Sequence, residues 1–349
     1  MRAAVLEAPG RFSVREIPDP VVGERQVLVR TAFVSICGSD LHVFHGEFGA
    51  RVKFPAVLGH EFCGTVEAVG KAVEGFAPGD RVVADPLVPC GRCPSCEEGL
   101  YSACRRLKLL GIDLQGGHAE LVAVAAERVY RLPGEVRMEH AAVIELYSVA
   151  VHAVRRARVE PGDTVVLLGT GRLGLAILDV LALTSAARIV AVDVDDSRLA
   201  VARRLGAECV VNARERDPID AVRELTGGDG AERVIEAIGH WEKIDGRLPP
   251  MAQAVEMVRN GGRITVLGQG NEICPIAFKP FVWKEAEIVA SRVSRGEFPR
   301  AVRLVAEGRL HPAELITHRM PIGSVQEAFE RSDAREKGMI KVLLQHGAS

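Results

Sequence analysis

The sequence has 349 residues, more than one ordinary hydrophobic core accommodates, and this length favours two domains. Its 44 basic and 46 acidic residues nearly balance, which argues against a nucleic-acid-binding protein. No stretch approaches the roughly 18 consecutive apolar residues of a membrane span, so no membrane partner is expected. The N-terminal residues lack a basic segment followed by a long apolar run, which favours a cytoplasmic protein.

The first part of the chain reads as an irregular β-rich region. Alternating apolar residues between Gly, Pro and Asp turns predict strands at 3–6, 27–34, 62–69, 81–84 and 119–124. A helix is predicted next, over 138–156. After it, strands alternate with helices: 163–168, 173–183, 188–193, 197–205, 208–211, 219–226, 232–237, 253–258, 263–267 and 288–290. Such alternation predicts a parallel sheet covered on both faces. The C-terminal part predicts helices at 299–307 and 325–332 and a strand at 339–343.

A glycine motif follows the first strand of the alternating region. It fits the pattern G-x-G-x-x-G between an apolar strand and an apolar helix, which is typical of a dinucleotide-binding turn. The first glycine allows a tight turn, the second lets a pyrophosphate approach the backbone, and the third lets helix and strand pack closely. The motif comprises Gly169, Thr170, Gly171, Arg172, Leu173 and Gly174.

Asp193 ends the next predicted strand, nineteen residues beyond Gly174. A carboxylate at this distance accepts hydrogen bonds from the adenosine ribose and would repel a 2′-phosphate. The residue that follows is Val194 and not an arginine. The sequence therefore predicts NAD as the cofactor, and the alternative is a strand–turn–helix unit that binds no nucleotide.

Four cysteines lie within fifteen positions in a loop rich in Gly and Pro. Their spacing matches a closed tetrahedral zinc site, in which four thiolates leave no open coordination position. Such a site is structural, because water has no place at the metal. An iron–sulfur cluster, which uses similar spacing, and four free thiols are the alternatives. The residues are Cys90, Cys93, Cys96 and Cys104.

Other segments hold a mixed set of metal-ligand types: Cys37, the pair His60-Glu61, and Glu145. Taken singly, each is a weak signal, because a lone cysteine is more often a core residue and a lone histidine more often a surface residue. The sequence pattern alone leaves their ligand role open.

Together and in this order, these motifs resemble the zinc-containing medium-chain dehydrogenase/reductase family, in particular its branch of sorbitol, threonine and butanediol dehydrogenases. The matching segments are 37–42 (CGSDLH), 59–64 (GHEFCG) and 78–82 (PGDRV), followed by the four cysteines, Glu145 and the glycine motif with Asp193. The resemblance extends over essentially the whole chain.

The resemblance implies an α/β protein with a discontinuous, GroES-like, β-rich catalytic domain and a Rossmann domain with a doubly wound parallel sheet. We expect the catalytic domain at 1–150, with the structural-zinc lobe at about 86–108. The NAD-binding Rossmann domain is expected at 151–293, and 294–349 is expected to return to the catalytic domain. The absence of a linker favours closely packed domains with the ligand site in the cleft between them. Relatives form dimers or tetramers, so a homotetramer, or a homodimer, is expected.

The resemblance also implies that Cys37 and His60 bind a catalytic zinc, with Glu61 and Glu145 competing to be the third protein ligand. Two zinc ions and one NAD are then expected per chain. An alcohol at the open zinc position becomes more acidic and releases hydride to the nicotinamide. Ser39 would take the proton and pass it through the cofactor ribose to His42.

Further cofactor contacts follow from the resemblance. Arg198 is expected near the adenosine ribose and Lys341 near the pyrophosphate, although both also fit ordinary surface charges. Ala237, Gly239 and Gly268 follow later strands of the sheet. Backbone contacts there suit the nicotinamide half, because ligands bind beyond the carboxyl ends of parallel strands.

The chain departs from the family pattern in two places. Relatives commonly have Pro-Leu-Ser after the residue matching Glu145, whereas this chain has Leu-Tyr-Ser, and Tyr147 either enters the substrate pocket or packs in the interior. The stretch 239–251 is longer and more polar than the usual connection. It reads as a surface insertion or as a segment that reaches the cofactor or a neighbouring subunit.

The expected function is zinc-dependent, NAD-linked oxidation of a secondary alcohol of a polyol, sugar or cyclitol to a ketone. The alternatives are an L-threonine 3-dehydrogenase or another short-chain secondary alcohol or diol dehydrogenase. A zinc-free quinone or enoyl reductase would lack the cysteine lobe and the Cys37–His60 pair, which this chain has. A zinc-stabilised nucleotide-sensing protein is the alternative that is not an enzyme.

Overall fold

A computed structural model describes residues 1–239, 246–270 and 273–347. The chain forms two compact units. Unit 1 consists of Met1–Leu146 and Arg295–Ser349, and unit 2 consists of Tyr147–Ser294. The units divide after residues 146 and 294. The domain boundaries predicted from the sequence lie after residues 150 and 293. Within the described part of the chain, no helix combines the length and the apolar character that crossing a bilayer requires.

The strands are numbered in chain order. They are β1 (Arg2–Ala8), β2 (Arg11–Glu16), β3 (Gln26–Ser35), β4 (Glu61–Val69), β5 (Arg81–Ala84), β6 (Leu87–Val88), β7 (Lys108–Leu109), β8 (Leu121–Ala125), β9 (Val129–Arg131), β10 (Thr164–Leu168), β11 (Arg188–Asp193), β12 (Cys209–Asn212), β13 (Ala231–Glu236), β14 (Val258–Val266), β15 (Glu287–Ala290), β16 (Ile316–Pro321) and β17 (Lys341–Gln345).

The helices are numbered in the same way. They are α1 (Gly38–Phe44), α2 (Pro94–Glu97), α3 (Met138–Ala141), α4 (Ile144–Ala157), α5 (Arg172–Leu181), α6 (Asp196–Arg204), α7 (Pro218–Leu225), α8 (Pro250–Met257), α9 (Phe278–Trp283), α10 (Phe298–Ala306), α11 (Pro312–Leu315) and α12 (Val325–Asp333). Short 3-10 helices lie at Gly49–Arg51, Tyr101–Ala103, Ala126–Arg128 and Ile322–Ser324.

Unit 1 is built around a seven-stranded sheet with the order β16-β17-β3-β4-β5-β9, in which β8 also pairs with β3. All of these pairings are antiparallel except that of β16 with β17. The C-terminal strand β17 therefore lies between β16 and the N-terminal strand β3. The pairs β1-β2 and β6-β7 form two further sheets.

Unit 2 contains a six-stranded parallel sheet with the order β12-β11-β10-β13-β14-β15. Strand β10 is a continuous apolar run from Val165 to Leu168 and is buried along that run, as expected for a central parallel strand covered on both faces. Its side chains pack with those of β11, β13 and α8 in one apolar core. The predicted α/β class, with a β-rich unit and a Rossmann-like parallel sheet, is confirmed.

The prediction of one helix over 138–156 is wrong, because the structure has two helices, α3 and α4, separated at Ala142 and Val143. All residues from Ala141 to Tyr147 are buried. Apolar residues therefore continue through the break. Because their periodicity is not interrupted there, it does not indicate where α3 ends.

One buried histidine in unit 1 lies among aromatic rings. The ring centroid of His118 is 6.1 Å from that of Phe12 and 5.7 Å from that of Phe329. Neither ring nitrogen has a hydrogen-bond partner among the described residues. Burial lowers the pKa of His118 from 6.5 to about 4, so the folded protein holds this imidazole neutral at neutral pH.

This environment makes stability depend on pH. Between pH 6.5 and about 4, the unfolded chain protonates His118 while the folded chain does not. The contribution of His118 to the free energy of unfolding should therefore fall by ~3 kcal/mol as the pH drops through this window. A His118→Phe variant lacks this contribution. Urea denaturation of both proteins from about pH 7 to about pH 4 should show the variant gaining relative stability as the pH falls. A constant difference in unfolding free energy would contradict the prediction.

Candidate functional site

The ends of two paired strands bring three candidate metal ligands together in unit 1. Strand β3 pairs antiparallel with β4, and Ser35 at the end of β3 lies opposite Glu61 at the start of β4. Cys37 follows β3 as the N-cap of α1, and His60 directly precedes β4. Ligand atoms of Cys37, His60 and Glu61 all lie within 4.8 Å of one another. This separation allows all three side chains to reach one metal ion.

Asp40 connects two of these candidate ligands. One carboxylate oxygen accepts a hydrogen bond from the backbone N–H of Cys37 at 2.9 Å. The other lies 3.3 Å from Nδ1 of His60, and Asp40 is fully buried. A carboxylate at Nδ1 fixes the imidazole orientation and leaves Nε2 available to a metal.

Glu61 is held by one carboxylate oxygen only. Its Oε2 accepts hydrogen bonds from Oγ of Ser35 at 2.6 Å and from Nζ of Lys341 at 2.5 Å, and all three side chains are buried. Its Oε1 is buried without a hydrogen-bond partner among the described residues. A buried acceptor beside a thiol and an imidazole is a group that a cation would satisfy.

The surroundings of His60 favour positive charge. Burial by itself lowers the pKa of His60, but the nearby Asp40 and Cys37 outweigh that effect and raise it well above its usual value. Sulfur, nitrogen and oxygen ligands in one group, with Cys37 partly exposed and His60 and Glu61 buried, match the ligand set of catalytic zinc sites. The residues present therefore fit a zinc ion.

Glu145, the competing candidate for third ligand, lies outside the group formed by Cys37, His60 and Glu61. It is buried at the start of α4. Burial, with the nearby Glu61 adding to it, raises the pKa of Glu145 to about 8, although His60 acts in the opposite direction. The two acids are thus close enough to interact, and their competition for a metal stays a prediction.

The four-cysteine loop brings its thiols together as well. The Sγ atoms of Cys90, Cys93, Cys96 and Cys104 all lie within 4.8 Å of one another. Backbone N–H groups of Cys90 and Arg106 point at Sγ of Cys104 at 3.4 Å. A hydrogen bond from the Arg92 N–H lowers the pKa of Cys90 to about 6, which favours the thiolate that a metal requires. The four thiols therefore fit a closed zinc site.

The two predicted proton-relay residues lie on α1, next to the first group of ligands. Oγ of Ser39 is 3.4 Å from Nε2 of His60. Nδ1 of His42 is 2.5 Å from a carboxylate oxygen of Glu47, and about half of the His42 side chain is exposed. Ser39 thus lies at the candidate metal site and His42 at the surface, and their relay role stays a prediction.

In unit 2, the glycines of the predicted nucleotide motif have separate structural roles. Gly169 has a φ of +93°, which glycine adopts without strain. A Cβ on Gly174 would lie 1.9 Å from the carbonyl oxygen of Gly169, so helix α5 packs directly on the turn. A Cβ on Gly171 would meet nothing within 4 Å, which leaves open space at the N-cap of α5. A helix N-terminus with open space before it suits a pyrophosphate.

Asp193 ends β11 beside this turn. Its Oδ2 accepts hydrogen bonds from the N–H and the hydroxyl of Thr170 at 2.7 and 2.9 Å. Its Oδ1 accepts from the N–H groups of Val194 and Asp195. The side chain of Arg198 lies near Asp195, 3.8 Å from its carboxylate. These residues occupy the place expected for adenosine-ribose contacts, and those contacts stay predictions.

Comparison with known proteins identifies the family. Residues 23–134 match the family model of the alcohol dehydrogenase GroES-like domain, and residues 173–307 match that of the zinc-binding dehydrogenases. The chain is 35% identical to 2-dehydro-3-deoxy-L-galactonate 5-dehydrogenase of Pseudoalteromonas atlantica, covering 94% of this chain and 93% of the relative. It is 30% identical to sorbitol dehydrogenase of Bacillus subtilis, covering 99% and 97%.

A solved structure agrees as well. The Escherichia coli alcohol dehydrogenase RspB, solved with the cofactor NADH, is 30% identical and superposes with a TM-score of 0.91 over 99% of both chains. The chain belongs to the zinc-binding alcohol dehydrogenases. It is therefore an oxidoreductase that acts on CH–OH groups, and the family resemblance stated from the sequence is confirmed.

Lys341 has a different partner in this dehydrogenase from the one predicted. Its ammonium group is fully buried in unit 1 and donates to the carbonyl oxygen of Ile36 at 3.1 Å as well as to Glu61. A contact with the cofactor pyrophosphate would require an accessible ammonium group. The structure therefore replaces the predicted phosphate contact with an ion pair that holds Glu61.

Tyr147 packs in the interior of unit 2. Its side chain is fully buried, and its hydroxyl group donates to a carboxylate oxygen of Asp179 on α5 at 2.7 Å. Of the two readings that the sequence left open, interior packing is the one the structure shows. Residues 240–245 of the polar stretch at 239–251 lie outside the described residues, which resume at Gly246.

Sequence reasoning missed Asp40 and the partner of Lys341. Asp40 follows Cys37 by three residues, and its side chain accepts the hydrogen bond of the Cys37 N–H. A cysteine ligand followed by an acid at this spacing is a local signal that would have predicted the contact. The contact between Glu61 and Lys341 joins residues 280 positions apart, so no local sequence pattern predicts it.

We expect Asp40→Asn to weaken metal binding at the Cys37–His60 group by about 10- to 100-fold, because His60 loses the carboxylate that orients it. Metal analysis after dialysis against a mild chelator should then show close to one zinc lost per chain. Ser35→Ala, which removes a neutral partner of Glu61, is the matched control and should lose less. Equal metal content in Asp40→Asn and the wild type would contradict this role of Asp40.

Proposed function

We propose that this dehydrogenase oxidises a secondary alcohol of a polyol, sugar or related cyclitol to a ketone, with NAD as the hydride acceptor. The observation that carries the proposal is the group of Cys37, His60 and Glu61, whose ligand atoms lie within 4.8 Å of one another. Oε1 of Glu61 is buried there without a hydrogen-bond partner among the described residues. The substrate class is supported by relatives whose names specify a sugar acid and a polyol.

Each residue of the catalytic group has a separate task in this proposal. Zinc bound to Cys37, His60 and Glu61 would act as a Lewis acid that makes the substrate hydroxyl more acidic. Asp40, at Nδ1 of His60, would orient that ring. Lys341 holds one oxygen of Glu61, and the other has no hydrogen-bond partner among the described residues and would be available to the metal.

Ser39, located beside His60, takes the hydroxyl proton in this scheme. His42 then delivers the proton to solvent, because its ring is half-exposed and hydrogen-bonded to Glu47. Bound NAD would accept the hydride that the carbinol carbon loses as the proton leaves. Oxidation of the alcohol thus supplies the two electrons and one proton that reduce NAD, and the second proton leaves through the protein.

The choice of NAD rests on Asp193 and its neighbour. The carboxylate of Asp193, at the end of β11, accepts hydrogen bonds from Thr170 in this structure. Toward a cofactor it would accept from ribose hydroxyls and repel a 2′-phosphate. The residue that follows is Val194, which cannot neutralise a phosphate. Solved structures of similar proteins hold NADH in one case and NADP in another, so the proposal rests on the residues of this chain.

The purified protein with NAD should turn over polyols, sugar acids or cyclitols faster than ethanol-like alcohols. Cys37→Ser should lower kcat/KM at least about 100-fold while leaving NADH binding unchanged, because the thiolate belongs to the metal site and not to the nucleotide unit. Initial rates of NADH formation and NADH titrations measure the two effects. Preferential turnover of L-threonine would replace the substrate class, and turnover of simple alcohols alone would refute it.

Metal content separates this function from a nucleotide sensor. An enzyme of the proposed kind should hold two zinc ions per chain, whereas a sensor stabilised only by the four-cysteine loop should hold one. Cys37→Ser should therefore retain a single zinc and a folded unit 2. Full activity in that variant would overturn the catalytic assignment.

We also propose that the protein is a homo-oligomer in which two copies associate through the free edge of the unit 2 sheet. Strand β15 is the last strand of that sheet. The chain before it exposes Phe278, Val282 and Trp283, with 67%, 65% and 74% of each residue accessible. An exposed apolar patch beside an unpaired edge strand favours association with another protein surface.

The charges around β15 favour a second copy as the partner. Exposed Glu285 precedes the strand and exposed Arg292 follows it. When an edge strand pairs antiparallel with its own copy, the acidic end of one faces the basic end of the other. The same arrangement occurs twice about the two-fold axis, which makes this edge self-complementary.

Trp283→Glu should raise the dissociation constant of this contact at least tenfold, about 1.4 kcal/mol or more, because it places an acid in the apolar patch. Light scattering coupled to size-exclusion chromatography should then show half the wild-type mass. Val21→Glu is the matched control, since Val21 is an isolated apolar residue in unit 1 that is 91% exposed. Equal masses for Trp283→Glu and the wild type would refute this interface.

A further inference from the structure

Glu236 is a buried acid at the carboxyl end of the parallel sheet in unit 2. It is the last residue of β13, and none of its surface is exposed. The described residues place no basic side chain in ion-pair contact with it. Because a buried carboxyl group without a counter-charge is costly, its presence at a strand end needs a structural reason.

Glu236 binds two neighbouring turns at once. Its Oε1 accepts hydrogen bonds from the backbone N–H groups of Ile238 and Gly239 at 2.7 and 2.9 Å, in the turn after its own strand. Its carbonyl oxygen accepts from the N–H groups of Leu267 and Gly268 at 2.8 and 3.2 Å, in the turn after β14. The side chain of Glu236 thus binds the turn after β13, and its backbone binds the turn after β14.

The two turns touch through their backbones. Gly239 has a φ of +79°, and a Cβ on it would lie 2.6 Å from the nitrogen of Gln269. A Cβ on Gly268 would lie 2.2 Å from the nitrogen of Gly239 and 2.4 Å from Oε2 of Glu236. Neither glycine accommodates a side chain, so the carboxyl group of Glu236 lies directly against the point of contact.

The two carboxylate oxygens of Glu236 differ in their surroundings. Oε2 is buried and has no hydrogen-bond partner among the described residues. Burial raises the pKa of Glu236, although the N–H groups of the turns act in the opposite direction. The buried carboxyl group therefore has an unfavourable environment. The hydrogen bonds of its other oxygen, which fix the backbone of the turn, account for its presence there.

We propose that Glu236 is a positioning residue that holds the turns after β13 and β14 in the geometry that receives the nicotinamide half of the dinucleotide. The inference rests on the proposed use of NAD, because ligands of such sheets bind beyond the carboxyl ends of the strands. The adenosine half is assigned to different residues, around Gly171 and Asp193. Loss of Glu236 should therefore affect one half of the cofactor and spare the other.

Binding of NADH and of ADP-ribose, which lacks the nicotinamide, tests this directly. Calorimetric titration of Glu236→Ala should show the NADH dissociation constant raised about tenfold or more, and the ADP-ribose constant within about twofold of the wild type. Glu236→Gln keeps an acceptor oxygen of the same reach, so its NADH constant should stay within about threefold. Asp193→Asn, at the adenosine end, is the control that should weaken both ligands.

The possible results separate a failure of the role proposed for Glu236 from a failure of the proposed cofactor. Equal weakening of NADH and ADP-ribose in Glu236→Ala, or no weakening of either, would overturn the role of Glu236. So would a Gln variant as weak as the Ala variant. If Glu236→Ala does not fold, Glu236→Asp, whose carboxylate is one methylene shorter, should show the same preferential loss of NADH. A wild-type protein that binds ADP-ribose but not NADH would instead refute the proposed cofactor.

Discussion

The catalytic unit depends on buried carboxyl groups that lie close together beside one imidazole. Asp40, Glu61 and Glu145 are all buried near His60, and Lys341 is the cation in ion-pair contact with Glu61. Burial disfavours the charged form of a carboxyl group, and together with the nearby Glu61 it raises the pKa of Glu145 to about 8. A dication at this position would offset that effect, so metal affinity and the stability of the fold should be coupled.

The parts of the site that follow from local sequence could be predicted, and the parts created by long-range contacts could not. The four cysteines could be predicted as a metal site because one short loop contains all four thiols. Cys37 and His60 needed the family resemblance, since β3 and β4 bring them together only in the folded sheet. The pairing of Lys341 with Glu61 depends on β17 entering that sheet next to β3, and no pattern in either segment expresses it.

In unit 2, sequence reasoning succeeded where backbone geometry demands one residue type. Gly169 and Gly174 occupy places that exclude a side chain, so their spacing reveals the turn. The contact between Gly239 and Gly268 obeys the same rule, but it joins two separate turns, and the sequence indicates only that each follows a strand. The division between α3 and α4 also escaped prediction, because a segment buried on every side carries no amphipathic boundary.

The position of the last strand has a consequence for how the protein is made. Unit 2 is one continuous segment and is complete on the ribosome before unit 1, because β17 consists of Lys341–Gln345. Domains generally fold as units in the order in which they emerge. Cys37 and His60 are synthesised early, but the lysine that pairs with Glu61 arrives 280 residues after it. The metal centre proposed for unit 1 can therefore be completed only after Lys341 has been synthesised.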